Sequence, residues 1–577
     1  MFRLLRRLVI LIAAAIALFV LVPPGARPLP DPPAGVPSSA DRPAGVAPGA
    51  RGAIHVHTLR SDGTGSIDDV TAAAARAGLK FVIVTDHGDA TRESDRPDYR
   101  NGVLYIDAVE ISTNNGHVLA LDLPKAPYPL RGDGRDVLED IARLGGFAIA
   151  AHPGSPKPEL RWTEWDSPFG GLEWLNADSE WRDERWWTLA RALIAYPFRP
   201  PQALALLLDR PDAVMRRWDS LTQQRRVVAV AGVDAHARVG VRTVGEPYDG
   251  GGSLHFPSYQ NSFREFSITL PDVTLTGEAA ADARNVLGAI RAGHVYSTID
   301  ALAGPAALRF TAASGSHTAS MGDTLALDGP VHLRVDVQAP PDALITILRN
   351  GAAIAGADGA ALQHDAPAEA AVYRVEVELP LPDAPGTPPV PWLVSNPIYA
   401  GRAPEEPAAA PRPQPRESVV LYGDGPARGW TVEKSASSDA AIDVVGTVGG
   451  SQLLLRFAIS GAPTDSPYTA FAMPATPAIA MHDRLVFTAR ANRPMRMSVQ
   501  LRAPAAGAGE RWQRSVYLDQ NPRTIQVFFD DLRPLVPTAS PAPALSNVQS
   551  VLFVIDTVNT KIGSNGQIWI DDIKYAK

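Results

Sequence analysis

Arg51-Gly52-Ala53-Ile54-His55-Val56-His57 is a short apolar stretch ending in two histidines one residue apart, and the rest of the chain is read outward from it. The alternation of strand side chains predicts a β-strand with His55 and His57 on one face. Three more apolar runs end in the same kind of residue. Phe81-Val82-Ile83-Val84-Thr85 delivers Asp86 and His87, residues 146–151 deliver His152, and residues 227–233 deliver Asp234 and His236. Such unbroken runs read as strands buried on both faces of a parallel sheet. Ser66 ahead of Ile67-Asp68-Asp69-Val70, with Ala77-Gly78 at the far end, predicts a capped helix between the first two strands. Strand, helix, strand with polar residues at the strand ends is an α/β pattern, and barrels of this class draw their catalytic groups from those ends.

Nine metal-ligand-type residues collect in this part of the chain: His55, His57, Asp62, His87, Glu110, His117, His152, Asp234 and His236. Imidazole nitrogens and carboxylate oxygens are the donors that borderline divalent metals prefer, and nine exceed what one ion needs. A single buried histidine is more often a hydrogen-bonded core residue than a ligand. Nine polar groups at successive strand ends are hard to explain as packing, because each one buried without a partner costs free energy. Asp86 has two open roles: orienting a ligand, or accepting a proton from an attacking water. Arg60 and Arg238 are candidates to reach an anionic substrate, and Asn114 and Asn115 read as turn residues.

With these residues in place, the set His55-x-His57 with Thr58, Ser61-Asp62-Gly63, Thr85-Asp86-His87, Glu110, Gly116-His117, Ala151-His152-Pro153 and Asp234-Ala235-His236 resembles the polymerase and histidinol phosphatase (PHP) domain. The resemblance covers roughly residues 51–305, and the segment Ala289 to Thr298 is similar to the branch that includes carbaryl hydrolase. It implies a distorted (β/α)₇ barrel holding two to three divalent ions of zinc, manganese or iron. By the same analogy a first ion takes His55, His57, Glu110 and Asp234; a second shares Glu110 and adds His117 and His152; a third takes Asp62, His87 and His236. A metal-bridging hydroxide would then attack the substrate, with Glu110 as the bridge.

Residues 156–226 form a helical, tryptophan-rich insertion with seven of the chain's eleven tryptophans. Within it Gly171-Leu172-Glu173-Trp174-Leu175-Asn176 reads as a barrel strand with Asn176 near the site, and residues 182–208 read as helix interrupted by prolines. So many tryptophans suit stacking on sugars or rings, or gripping a membrane interface; packing of an accessory helical layer is the favoured reading.

At the amino end Arg3, Arg6 and Arg7 precede an apolar run from Leu8 to Val22. Residues 1–22 are therefore expected to be an uncleaved signal anchor, arginines inside, giving a single-pass inner-membrane protein with a periplasmic catalytic domain. Secretion after signal-peptide cleavage is the alternative. Residues 23–50 read as a Pro/Ala/Gly-rich linker, as do residues 403–416. Between them, past the barrel, residues 306–402 read as a β-sandwich, and residues 417–577 as a jelly roll of the carbohydrate-binding kind. The full expectation is an α/β barrel followed by two all-β domains. The chain has no cysteine, so no disulfide scaffold exists, and a net charge of −8 argues against long nucleic acid as a partner.

The leading functional expectation is a metal-dependent hydrolase acting on a phosphate ester, either a small molecule or one linked to glycan. Hydrolysis of a carbamate or carboxylic ester is the alternative within the enzyme class. Outside that class the alternative is a non-catalytic envelope protein that holds glycan through its C-terminal domain.

Overall fold

The computed structural model describes residues 22–23, 25–27, 29, 49–240, 253–254, 256–304, 307–379, 390–402, 413–448, 450–504, 509–536 and 540–577. The segment expected to be a signal anchor, apart from Val22, and most of both expected linkers lie outside the described residues. Among the described residues no helix is long and apolar enough to cross a membrane. The chain divides into two compact units, one taking in residues 1–89, 93–124 and 138–409, the other residues 90–92, 125–137 and 410–577.

In the first unit the runs read as buried strands are strands. Ala50–Ile54 pairs in parallel with Phe81–Val84, which pairs in parallel with Val103–Asp107. The helix between them, Ile67–Arg76, starts at a capping box in which Ser66 and Asp69 satisfy each other's backbone amides. A five-stranded sheet runs in the order Val109–Thr113, Gly116–Leu121, Phe147–Ala150, Gly171–Asn176, Val228–Gly232. Two parallel bridges, Val56 to Ala235 and His87 to Glu110, join its edges to Ala50–Ile54 and Phe81–Val84. Those two strands and the five of the sheet thus form a closed circuit of seven. Gly116–Leu121 alone runs against its neighbours in the circuit. Its first residues therefore sit at the end where the parallel strands finish, which is why His117 joins histidines that follow strands.

The division expected at residue 305 does not appear in the sheet. Tyr296–Thr298 pairs antiparallel with Leu393–Ser395, and the same twelve-stranded sheet continues from Ala50–Ile54 through Ser267–Leu270 into Ala371–Glu378 and Ile398–Ala400. Asn396 fastens the join. Buried, it accepts from Ala229 N at 2.8 Å and donates to Ala229 O and Val295 O, both at 2.8 Å. Only Leu308–Ser314, His317–Ser320, Val331–Val337 and Ala361–Ala366 form a separate four-stranded sheet. Asn350 and Gly351 both have positive φ, 52° and 84°, as a two-residue type I′ hairpin requires, and this is the turn read from Arg349-Asn350-Gly351.

The second unit holds two six-stranded antiparallel sheets. Phe457, Phe487 and Ile570 of one and Phe471, Met497 and Phe553 of the other share one apolar core. It is a β-sandwich, which is the coarser part of the jelly roll expected for residues 417–577.

Asn396→Ala should leave three buried backbone groups without a partner and destabilise the first unit by about 3 kcal/mol, read as a lower urea midpoint for that unit's transition. Glu265 offers a pH test. Burial pushes its carboxyl up to about 8, against 4.5 for the ordinary group. A raised acid contributes stability that is fully present below the unfolded value and lost as pH rises through the folded one. Stability should therefore fall between pH 4.5 and 8, and Glu265→Gln should flatten that slope; thermal melts across the range measure it.

Candidate metal centre

All nine donors predicted from the sequence converge at one end of the strand circuit. They fall into four overlapping groups of mutually close atoms: His57, Asp62, His87 and His236; His55, Glu110 and His152; His55, His57 and Asp234; His87, Glu110 and His117. Asp86, Arg60 and Arg238 enter none of them.

Glu110 stands at the centre. Its Oε1 lies 2.8 Å from His117 Nδ1 and 3.0 Å from His152 Nε2. Its Oε2 lies 3.2 Å from both His55 Nε2 and His57 Nε2, and 3.3 Å from His87 Nδ1. Strand pairing explains part of this: Glu110 sits opposite Leu119, so His117, two residues away, is its diagonal neighbour on the same face.

Asp234 Oδ1 is 3.3 Å from His55 Nε2 and from His57 Nε2. Each of these two imidazoles thus sits 3.2–3.3 Å from each of the two carboxylates. Metal–ligand bonds of 2.0–2.1 Å in a tetrahedron put neighbouring ligands roughly 3.3 Å apart, so these four histidine–carboxylate separations are of the size that a shared ion would give. His57 Nε2 and Asp62 Oδ1 are buried without a well-directed hydrogen bond among the described residues. Buried imidazole and carboxylate atoms gathered this closely are the donor chemistry that divalent ions take, so the residues could hold such ions.

The route to convergence differs from the one predicted. His55 and His57 do not meet through regular strand alternation. His55 has φ 67°, His152 φ 30° and Asp234 φ 47°, all in the left-handed region that non-glycine residues seldom occupy. Three of the nine donors therefore stand on strained backbone immediately past a strand, where surrounding contacts must hold them.

Glu173 supplies much of that hold, and the sequence reading missed it. Fully buried, it accepts from His55 Nδ1 at 2.6 Å, from His152 N at 2.6 Å and from Asn176 Nδ2 at 2.8 Å. It fixes the His55 tautomer so that Nε2 faces Glu110 and Asp234. Gly232 makes room for it: a Cβ there would fall 1.7 Å from Glu173 Oε1. A lone acid in the otherwise apolar strand 171–175 was the available signal. Asn176 is near the site as expected, 3.3 Å from Asp234 Oδ2.

Asp86 takes the orienting role. It accepts from Thr58 N at 2.7 Å, Thr58 Oγ1 at 2.6 Å and Ser61 Oγ at 2.6 Å, tying down the loop that carries Asp62. Tyr259, also missed, pins the same loop by donating to His57 O at 2.8 Å and accepting from Thr64 N and Gly65 N at 3.1 Å. Arg60 turns to Asp95 and Tyr105 and makes no contact with the nine donors among its described bonds. Arg238 Nη2 lies 3.2 Å from Asp62 Oδ2, beside His236 Nε2 at 3.2 Å from the same oxygen.

The charges are strongly coupled. Burial works to raise the Glu110 and Asp234 carboxyls, and the surrounding histidines outweigh it, holding both well below the ordinary range. Burial works to lower His57, yet Asp234, Glu110 and Asp62 push it up to about 10. Burial wins at His87, which falls to about 4 although Glu110 opposes the shift.

No family model matches the chain. An uncharacterised protein of Methanocaldococcus jannaschii is 28% identical over 120 residues, 18% of this chain and 67% of its own. Among solved structures, a family 11 carbohydrate-binding module from Clostridium thermocellum, in complex with a mixed-linked tetrasaccharide, covers 27% of this chain and 94% of its own at 14% identity and TM-score 0.24. A family 30 module of a C. thermocellum cellulosomal cellulase covers 28% and 96% at 14% identity and TM-score 0.21.

Carboxylates behind ligating histidines typically account for about ten- to a hundredfold in metal affinity. Glu173→Gln should weaken zinc binding by about that factor while the fold persists, as competition against a chromophoric chelator would measure.

Proposed function

We propose that the first unit is a metal-dependent hydrolase of the PHP type, acting on a phosphate ester in the cell envelope. The carrying observation is Glu110, whose two carboxylate oxygens divide five histidines between them. The closed circuit of seven strands with one reversed member supports reading the unit as the distorted (β/α)₇ barrel that the sequence resemblance implies. His55, His57, Glu110 and Asp234 would hold one ion, Glu110 with His117 and His152 a second, and Asp62, His87 and His236 a third. The four groups of close atoms support a looser partition for all three, because Glu110 groups with His55 and His152 and with His87 and His117, and His57 also groups with Asp62. Bound divalent ions bring the pKa of water to about 7 and so provide a hydroxide at neutral pH.

The chain's own residues set the terms for that chemistry. Glu110 fixes the spacing of the donors on either side of it. Glu173 and Asn176 hold His55, His152 and Asp234 in place, and Asp86 and Tyr259 hold the Asp62 loop. Three divalent ions would outweigh the five carboxylates in and behind the donor set (Asp62, Glu110, Asp234, Asp86 and Glu173), so the fully loaded site would favour an anionic substrate. Arg238, beside Asp62, extends that field at the same side, with a quarter of its side chain exposed. These features favour a phosphate ester over a neutral carbamate. One feature supports the carbamate alternative: the helix Ala279–Ala292, its left-handed cap Gly293 and the strand Tyr296–Thr298 follow the order of the carbaryl-hydrolase-like segment.

The test is a screen of the metal-loaded full chain against phosphomonoesters, phosphodiesters and carbamate esters, with Glu110→Gln and Asp62→Asn beside it. Turnover of a phosphate ester is expected. Glu110→Gln should lower it by at least about a hundredfold, and Asp62→Asn should retain more metal while still impairing turnover. Near-normal turnover by Glu110→Gln with its full metal complement would overturn the bridging role, and absence of all three activities would leave the non-catalytic, glycan-holding reading in its place.

A further inference from the structure

The helix Trp186–Ala195 in the tryptophan-rich insertion turns its large apolar side chains outward. Trp186 is 73% exposed, Trp187 51%, Leu193 64% and Ile194 46%, and Phe198 just beyond is 54% exposed. Its buried side is made by the small residues Ala192 and Ala195. At 3.6 residues per turn Trp186, Trp187, Leu193 and Ile194 fall within a stripe about 120° wide. This reverses the usual order, in which a surface helix hides its apolar stripe and shows charge. Three of the tryptophans, Trp162, Trp174 and Trp218, are buried in the way an accessory packing layer predicts; Trp186 and Trp187 are not.

Two observations name what covers this face. The helix and the turn after it carry Arg185, Arg191 and Arg199 and no acid, although Asp183 and Glu184 stand just before the helix, so the charge on the exposed face itself is positive. The second is continuity with the amino end. The apolar run that ends at Val22 is followed within five residues by Gly25–Arg27, and Gly25 and Ala26 line a groove with Phe198, Arg199 and Pro200. Arg27 N is fixed to Leu302 O at 3.0 Å, so this stretch is seated on the unit. A chain leaving the bilayer after Val22 would arrive beside the exposed aromatic face.

We infer that the Trp186–Phe198 face lies in the interface of an anionic lipid bilayer, with its tryptophans and aliphatic side chains among the headgroups and its arginines against lipid phosphate. Tryptophan and arginine are the side chains that settle at that depth, and a short amphipathic helix with basic flanks is a monotopic contact. The unit would then be held to the membrane surface by this contact as well as by its amino-terminal segment. The inference stands apart from the hydrolase reading and fails or survives separately from it.

Because the chain has no cysteine, single labels can be placed at will. Full-chain Leu193→Cys and Val448→Cys variants, each carrying a nitroxide, would be compared in solution and with vesicles of phosphatidylethanolamine containing a quarter of phosphatidylglycerol. Both positions are exposed, so both variants should fold. Oxygen concentrates in lipid and a water-soluble nickel chelate is excluded from it. At position 193 vesicles should raise oxygen collisions and lower nickel collisions severalfold, with position 448 unchanged. Loss of nickel collisions without a gain in oxygen would mean that protein or glycan covers the face, and would overturn the inference. So would no change at 193, or an equal change at 448.

Discussion

One carboxylate sets the arrangement of the first unit's functional end. Glu110 offers one oxygen to His117 and His152 and the other to His55, His57 and His87. Five imidazoles can approach one acid closely only if their strands end at the same level around it, which the closed circuit of strands achieves. The cost appears locally, in the left-handed backbone of His55, His152 and Asp234. It is offset by a second layer of hydrogen bonds from Glu173, Asn176, Asp86 and Tyr259. Without that layer the donors would be free to relax toward ordinary backbone and away from each other.

This dependence explains why some neighbours are so constrained. Gly232 must lack a side chain because Glu173 occupies the space. Gly63 must lack one because His57 O and Tyr259 Oη lie 2.3 and 2.7 Å from where its Cβ would be. Neither glycine has a positive φ, so close approach and not backbone freedom is the reason.

The donors themselves were legible in the sequence, because a polar residue directly after a buried apolar run has few structural explanations. The strands at 81–84, 147–150, 171–176 and 228–232 were legible for the same reason. What the sequence hid was pairing between distant segments. Nothing in the pattern of residues 393–395 says that they extend the sheet containing residues 296–298, so the boundary drawn at 305 followed a change in composition that the hydrogen bonds ignore. Glu173 was hidden because an acid inside a strand carries no mark of which histidine it will meet, and Tyr259 because its contact lies across about two hundred residues of chain. Proximity in sequence did not reveal the partner of Arg60, whose charge is paired with Asp95. The exposure of Trp186 and Trp187 went against the favoured packing reading, since the sequence of an apolar helix does not say whether it faces a core or is left exposed.

The central claim is that the nine converging donors are a multinuclear metal site and not a buried hydrogen-bond network. Calorimetric titration of zinc or manganese into the chelator-stripped full chain tests it most directly. The account predicts saturation at about two to three equivalents, with protons released as the raised histidines are neutralised. Binding of less than one equivalent, with no proton release, would contradict it.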